Sequence, residues 1–296
     1  MQLFVNDLTV IDFSYLCPQR GVVGESWIVD ITLDGTLNDQ SMVLDFGRVK
    51  KQIKAIIDNS VDHKLAVPAE HPYTHVTRRD DDSGYWVDFM RPDARSIHLF
   101  CPADAFAFID ADVVDIDSVK AYLHAVIKRE LPTNVAGLEL TLRAEDINGF
   151  YYHYTHGLKK HDGNCQRIAH GHRSAIQIYH NGMRTPRLEK LWATRWQDIY
   201  VGSQEDVVSA EQMQLSSLAR EAIAASPDAY ICYSYQADQG LFELALSVQE
   251  NTVIETDSTV ECISEYLAQR IKQEEGAGDV KVIAFEGVGK GAIGYA

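Results

Sequence analysis

Two histidines separated by one residue, His170 and His172, have the spacing of a metal site. Residues two apart on a β-strand face the same side of the sheet, so both imidazoles can bind one ion. A hairpin with the alternating segment that ends at His156 would bring a third imidazole beside this pair. Three neutral imidazoles that leave a fourth position open are the pattern of a catalytic zinc centre. These histidines therefore predict a bound zinc ion, Zn2+.

A cysteine lies between these histidines, in the segment His161-Asp162-Gly163-Asn164-Cys165. A thiol beside a divalent cation has a lowered pKa and can act as a base or nucleophile, but a thiol that binds the metal cannot. Cys165 is therefore a candidate catalytic base. The spacing leaves the ligand set open, because His153, His161 and His180 also lie nearby and a His-x-His pair also occurs in ordinary polar strands.

Composition narrows the class of protein. The 296 residues are 46% hydrophobic and 24% charged, and 43 acidic residues against 27 lysines and arginines give a formal charge of −16. No basic stretch is dense enough for a nucleic-acid-binding face, so we expect no nucleic-acid partner. The five cysteines form no close pairs, and no apolar run approaches the roughly 20 residues that span a bilayer. We therefore expect a cytoplasmic protein with no membrane partner.

The chain repeats itself after about 140 residues, nearly half its length. A short alternating strand precedes Glu145, and a similar strand precedes Glu286. The amphipathic helix pattern before each of these strands also recurs. We interpret this self-similarity as a tandem duplication, with a first unit in residues 1–147 and a second unit in residues 148–296.

Each unit opens with two strands and a helix. The first-unit strands are Leu3 to Tyr15 and Trp27 to Leu33, followed by a helix that Asp45 caps. The second unit gives Phe150 to His156 and then Ala175 to Tyr179 before its amphipathic helix. Each unit then continues with a second helix and further strands. This order of antiparallel strands and helices predicts an α+β fold. Each unit is expected to be an antiparallel four-stranded sheet with two helices on one face.

The histidine and cysteine motifs resemble those of a known family. The run Tyr154-Thr155-His156-Gly157-Leu158, then Cys165, then His170-Gly171-His172 is similar to the zinc and catalytic-cysteine signature of the 6-pyruvoyl and 6-carboxy tetrahydropterin synthase family. The resemblance implies the tunnelling fold for both units. It also implies that His156, His170 and His172 bind zinc and that Cys165 is the catalytic base.

Two further motifs of the second unit resemble the pterin-binding residues of that family. The run Ser258-Thr259-Val260-Glu261 opens the last helix, and Glu286 follows the last alternating strand. The resemblance implies that Thr259 and Glu286 hold the ring of a small-molecule pterin substrate. A carboxylate suits this ring because it accepts two parallel hydrogen bonds.

The catalytic Asp-His pair of the family is found in the first unit instead. The run Val61-Asp62-His63-Lys64-Leu65 follows the first helix, whereas Gln204-Glu205-Asp206 is the expected counterpart in the second unit. The first unit has lost the zinc positions, since Cys17 is expected to replace His156 and Val23-Gly24-Glu25 replaces the His-Gly-His motif. Each unit thus keeps one share of a site. Taken alone, Asp62 and His63 would be read as a helix-end hydrogen-bond pair.

The resemblance implies a zinc-dependent carbon-oxygen lyase that converts 7,8-dihydroneopterin triphosphate to a 6-pyruvoyl or 6-carboxy tetrahydropterin. Four basic residues flank the motifs and either offset the charge of the triphosphate or are ordinary exposed residues: Lys159, Lys160, Arg167 and Arg173. Two alternatives stay open. One is a non-catalytic protein that binds zinc and pterin, and the other is a different zinc-dependent pterin or purine enzyme on the same fold.

The resemblance also bears on assembly. Members of the family close three sheets into a barrel and stack two barrels, so a chain with two units is expected to form a homo-oligomer, with a trimer favoured over a dimer. The sequence leaves open whether Asp62 and His63 meet the zinc of their own chain or that of a neighbouring chain.

Overall fold

The computed structural model describes residues 1–37, 39, 41–160, 167–276 and 278–296. Along these residues the same order of elements occurs twice: a hairpin, a helix, short strands, a long helix and a closing strand. The fold is α+β, as predicted from the sequence. The first unit ends its last strand at Ala144, and the second unit begins its first strand at Tyr151.

The first unit is built on a long hairpin that other strands extend on both sides. The antiparallel part of its sheet is β1–β2–β8, and β3 and β7 add two strands parallel to β1, which gives the order β7-β3-β1-β2-β8. Its elements are β1 (Gln2–Cys17), β2 (Gly21–Gly35), α1 (Phe46–Ser60), β3 (Leu65–Pro68), β4 (Thr74–Arg78), β5 (Tyr85–Phe89), β6 (Ile97–Cys101), β7 (Phe106–Ile109), α2 (Ile116–Glu130) and β8 (Val135–Ala144).

The second unit repeats this plan. Its sheet has the order β16-β12-β9-β10-β17-β18, with the short β11 also paired to β10. Its elements are β9 (Tyr151–His156), β10 (His170–His180), β11 (Met183–Arg184), α3 (Pro186–Arg195), β12 (Ile199–Ser203), β13 (Val207–Val208), α4 (Ser217–Ala225), β14 (Tyr230–Ala237), β15 (Gly240–Ser247), β16 (Asn251–Ile254), α5 (Val260–Glu275), β17 (Val280–Phe285) and β18 (Gly291–Tyr295).

Helix packing follows the apolar spacing in the sequence. Residues three or four apart lie on one face of a helix, and burying that face supplies most of the stability of a short helix. Both units bury such a stripe against their own sheet. The buried side chains are Val49, Ile53 and Ile57 of α1, Val119, Leu123 and Ile127 of α2, and Val260, Ile263, Leu267 and Ile271 of α5.

A third sheet joins the two units. It has the order β13-β14-β15-β6-β5-β4, so three strands come from each unit, and β6 pairs with β15 at its centre. A buried polar chain crosses this seam: Asp88 Oδ1 lies 2.6 Å from His98 Nδ1, and Ser96 Oγ lies 2.6 Å from the hydroxyl of Tyr230. The sequence predicted two four-stranded sheets and did not predict this shared sheet.

The two hairpins cross at a pair of glycines. A Cβ atom on Gly24 of β2 would overlap the carbonyl oxygen of Tyr154 and the backbone nitrogen of His172, and a Cβ atom on Gly171 of β10 would overlap the Cα atom of Gly24. Beside the crossing, the hydroxyls of Ser14 and Thr155 are hydrogen-bonded at 2.8 Å. The first unit therefore lies directly against the histidine-bearing strands of the second.

Across the residues that the structure describes, no helix combines the length and apolar character needed to cross a membrane.

Candidate metal centre and active site

Three histidine side chains converge where β9 ends and β10 begins. His156 and His170 face each other across the hairpin, and His172 follows two residues later on the same side of β10. One ligand atom from each of the three lies within 4.8 Å of the others. All three are buried. The period-two geometry of the hairpin thus produces the cluster that the sequence predicted.

The donor atoms of this cluster fit a metal ion. Buried polar atoms are normally hydrogen-bonded, yet none of the six ring nitrogens makes a well-aligned hydrogen bond to a described residue; the Asp12 carboxylate, 3.2 Å from His172 Nδ1, lies within ion-pair distance of one of them. Burial lowers the pKa of His156 to about 3 and holds the pKa of His170 well below its ordinary value, so both imidazoles are neutral near pH 7. Neutral imidazoles whose ring nitrogens lack well-aligned hydrogen bonds among the described residues are suitable ligands for a divalent cation such as zinc.

The Asp-His pair of the first unit lies against this cluster in the same chain. The ring centroid of His63 is 4.6 Å from that of His170, in an edge-on arrangement. Asp62 Oδ2 lies 3.3 Å from His63 Nδ1, and Asp62 Oδ1 accepts a hydrogen bond of 2.8 Å from the backbone N–H of Asp12. Within the described residues, the Asp62 carboxylate therefore binds a strand rather than capping a helix.

Burial changes the protonation of this pair. It raises the pKa of Asp62 to about 7, although the hydrogen bond from Asp12 lowers it in part. It lowers the pKa of His63 to about 4, so the His63 imidazole is neutral near pH 7. A base next to a candidate metal centre is the arrangement that proton-transfer chemistry requires.

Two residues that the sequence analysis did not single out, Asp12 and Lys290, complete the charged surroundings. Asp12 Oδ1 lies 3.2 Å from His172 Nδ1, and Asp12 Oδ2 lies 3.2 Å from Lys290 Nζ. Burial alone would raise the pKa of Asp12, but His172 and Lys290 beside it hold that pKa below its usual range. In the sequence, Asp12 could have been noticed as a carboxylate within an apolar strand, and Lys290 as a lysine within a glycine-rich terminal loop.

The two predicted pterin-binding residues occupy different environments. Glu286 Oε1 lies 3.8 Å from His172 Nε2, beside the histidine cluster. Thr259 is the N-cap of α5, and its hydroxyl oxygen accepts a hydrogen bond of 3.5 Å from the backbone N–H of Cys262. The hydroxyl of Thr259 thus already has a structural role. Cys165, the predicted base, lies outside the described residues.

The hairpin registers correct one expected correspondence between the units. Gly24 lies opposite Ser14 in the first hairpin, as Gly171 lies opposite Thr155 in the second. Alignment on these glycines puts Tyr15, rather than the expected Cys17, at the position of His156. Motif spacing alone missed this because the connection between the two strands differs in length between the units.

The expected counterpart of the Asp-His pair is also wrong. Leu65 of β3 pairs with Ser14, and Tyr200 of β12 pairs with Thr155, so the residue equivalent to His63 is Asp198. Both residues have a positive φ, 58° for His63 and 60° for Asp198. The predicted segment, residues 204–206, forms a short 3₁₀ turn after β12.

An ion pair lies at the residues that are equivalent, in the other half of the repeat, to the histidine cluster and to the Asp-His pair. Arg20 donates hydrogen bonds of 2.9 and 2.6 Å to the carboxylate of Asp198 and one of 3.1 Å to the hydroxyl of Tyr15. Glu25, at the position of His172, is buried, and burial raises its pKa to about 7. A guanidinium therefore provides positive charge where the first unit lacks imidazoles.

Each of the four flanking basic residues is engaged with the protein itself. Lys159 Nζ contacts Asp206 at 2.6 Å, and Arg167 contacts Asp104 at 2.7 Å. Lys160 contacts Asp257 at 3.3 Å. Arg173 stacks on the ring of Tyr151, with its guanidinium carbon 4.0 Å from the ring centroid. A triphosphate at these residues would have to compete with existing contacts.

Comparison with known proteins gives one family. A family model described as 6-pyruvoyl tetrahydropterin synthase matches residues 17–77. The solved 6-pyruvoyl tetrahydropterin synthase of Plasmodium vivax is 15% identical with a TM-score of 0.39, and that of Plasmodium falciparum is 12% identical with a TM-score of 0.39. Both alignments cover 48% of this chain and 90% of the other chain. No curated protein matches the chain significantly.

The family model matches part of the first unit, including Asp62 and His63, whereas the histidine cluster is in the second unit. The chain is therefore similar to 6-pyruvoyl tetrahydropterin synthases over residues 17–77.

Proposed function

We propose that this protein is a zinc-dependent carbon-oxygen lyase of the tetrahydropterin synthase type, acting on 7,8-dihydroneopterin triphosphate. The observation that carries the proposal is the meeting of His63 with His170, which joins the Asp-His pair of one unit to the histidine cluster of the other at 4.6 Å between ring centroids. A protein that only bound zinc and pterin would need no proton-transfer pair at this position.

The three histidines would hold the zinc ion. When bound, zinc supplies Lewis-acid chemistry, polarising the side-chain hydroxyls of the substrate and acidifying the adjacent carbon-bound protons. Because the imidazoles of His156 and His170 are neutral near pH 7, they are ready to bind the ion without first losing a proton.

Proton transfer falls to the residues beside the ligands. Cys165, by resemblance to the family, removes a carbon-bound proton as a thiolate. His63 relays or takes up protons, and Asp62, within 3.3 Å of His63 Nδ1, orients its ring. Glu286, next to His172, is the candidate anchor for the pterin ring, where a carboxylate can accept two parallel hydrogen bonds.

The test is incubation of zinc-loaded protein with 7,8-dihydroneopterin triphosphate and identification of the product by mass. We expect the mass of a 6-pyruvoyl or 6-carboxy tetrahydropterin, and none after the zinc is removed. His63→Ala should keep zinc but turn over about 100- to 10,000-fold more slowly, since positioned proton transfer contributes that much. Cys165→Ala should likewise keep zinc and lose turnover.

The control is His75→Ala, which removes an exposed histidine on β4 in the shared sheet and should leave turnover unchanged. Zinc binding without turnover of any dihydropterin would contradict the lyase proposal and favour a non-catalytic zinc- and pterin-binding protein. Loss of zinc in Cys165→Ala would make that thiol a ligand and remove its proposed role as base.

A further inference from the structure

Asp12 contacts both parts of the proposed site, the Asp-His pair of the first unit and the histidine cluster of the second unit. Its backbone N–H donates to Asp62 Oδ1 at 2.8 Å, and its backbone carbonyl accepts from the N–H of His63 at 2.7 Å. Its side chain points to the other unit, where Oδ1 lies 3.2 Å from His172 Nδ1. One residue of the metal-free unit thus contacts the Asp-His pair through its backbone and a candidate metal ligand through its carboxylate.

The Asp12 carboxylate is held firmly in place. It is 4% exposed, and its Oδ1 accepts a hydrogen bond of 2.5 Å from the hydroxyl of Ser26. Its Oδ2 lies 3.2 Å from Lys290 Nζ. Gly287, with φ of 72°, closes over the group so tightly that a Cβ atom there would overlap Asp12 Oδ1. Neighbours from both units therefore fix this carboxylate toward His172.

The first-unit positions equivalent to the histidine cluster lie beside a similar carboxylate–imidazole pair. In this pair the first unit provides the carboxylate at the position of the metal ligand, and the second unit provides the imidazole. The hairpin registers place Glu25 at the position of His172 and His153 at the position of Asp12. Glu25 Oε2 lies 3.7 Å from His153 Nδ1, which hydrogen-bonds the carbonyl of Gly24 at 2.7 Å. A buried imidazole therefore faces a carboxylate on each side of the crossing. Only at Asp12 does the imidazole belong to the histidine cluster.

We propose that Asp12 is a positioning residue for the metal ligand His172, holding the proton of its imidazole on Nδ1 so that Nε2 is left for zinc. An imidazole that binds a metal commonly donates its other N–H to a carboxylate, which fixes the tautomer and ring orientation and makes the ligand more basic. Asp12 provides this carboxylate from the other unit. The inference rests on the proposed zinc site but not on the substrate or the reaction.

The test compares Asp12→Asn with the wild-type protein in two measurements. Competition with a chelator should show zinc affinity reduced about 10- to 100-fold, the usual effect of losing such a partner. Long-range 15N–1H NMR of the zinc-loaded protein should show His172 protonated on Nδ1 in the wild type, with that signal weakened or shifted to the other tautomer in the variant. The backbone contacts of Asp12 with the Asp-His pair do not depend on its carboxylate.

Glu25→Gln is the matched control, because it neutralises the buried carboxylate of the Glu25–His153 pair and should leave zinc affinity and the His172 tautomer unchanged. If Asp12→Asn does not fold, Ser26→Ala removes the 2.5 Å hydrogen bond to Asp12 and should also weaken zinc binding, by a smaller factor.

Wild-type zinc affinity with an unchanged His172 tautomer in the Asp12→Asn variant would overturn the role of Asp12. A wild-type protein that binds no zinc would overturn the metal centre itself, whereas zinc binding without pterin turnover would leave the Asp12 proposal standing.

Discussion

Gly24 of the first unit and Gly171 of the second unit occupy equivalent positions in their hairpins and touch each other where the hairpins cross. A side chain at either residue would overlap backbone atoms of the opposite hairpin. This contact puts His63 of one unit beside His170 of the other. The close approach of two glycines is thus the structural condition for a single site composed of both units.

Gly171→Ala should destabilise the protein by about 1–3 kcal/mol, because overpacking at a contact between backbones forces the strands apart. Zinc affinity should fall as well, since His170 and His172 flank the altered residue. Denaturant unfolding and chelator competition measure the two effects. The control is Gly47→Ala, where the added methyl group meets only the side chain of Asp45 at 3.3 Å. Unchanged stability in Gly171→Ala would mean that the strands do not cross as described.

Metal content should be one zinc per chain, bound by the second unit. His170→Ala or His172→Ala should abolish binding, because each removes one of three ligands. Cys17→Ala should retain zinc, since the first unit has no imidazole at the three equivalent positions. Elemental analysis of purified protein gives the stoichiometry directly. Two zinc ions per chain would show that the first unit also binds metal.

Stability should depend on pH through Glu25. Its pKa of about 7 in the folded chain exceeds the ordinary value of 4.5, so the folded state favours the protonated form. The free energy of unfolding should fall as pH rises from about 4.5 to 7. Glu25→Gln removes this penalty and should be more stable than wild type by up to about 3 kcal/mol at pH 8.

Denaturant unfolding at pH 5 and pH 8 measures the difference between the two proteins. The wild type and Glu25→Gln should have similar pH 5 stabilities and diverge as pH rises, because only the wild type loses a proton at this position. If the two proteins differed in free energy of unfolding by the same amount at both pH values, the substitution would be acting through packing rather than through ionisation. That result would contradict a buried carboxyl group with a raised pKa among Arg20, Arg173 and Asp198.

The local parts of the site were predictable from the sequence. His170 and His172 share a strand face because of the period of a β-strand, and the hairpin brings His156 opposite His170. The repeat and the Asp-His motif predicted that the site draws residues from both units, and His63 lies beside His170. Such relationships depend on residues that are close in the chain or follow one another in a repeated order.

The non-local parts were not predictable. Asp12 gains its role only because the first hairpin crosses the second, a contact between residues about 160 apart in the chain for which no motif exists. Cys17 seemed equivalent to His156 because spacing does not reveal strand register, and the observed registers move the equivalent position by two residues, to Tyr15. The shared sheet was missed because its two halves come from different units.

Assembly should proceed through the edges of the two unit sheets. Within the described residues β8 pairs only with β2, and β18 pairs only with β17. Ile293 and Tyr295 of β18 are exposed, at 49% and 65%. Unpaired edges with apolar side chains favour further strand pairing. Analytical ultracentrifugation should therefore give a homo-oligomer, and Ile293→Lys should weaken it. A stable monomer would contradict this prediction.

The most direct test of a site completed within one chain is activity in mixed oligomers of His63→Ala and His172→Ala chains. Each variant lacks a different share of the site, and differently tagged chains allow mixed assemblies to be purified. Because His63 and the histidine cluster meet in the same chain, no mixed assembly contains an intact site. We predict activity no higher than that of the separate variants. Recovery of a substantial fraction of wild-type activity would show that His63 serves the zinc of a neighbouring chain and would contradict this account.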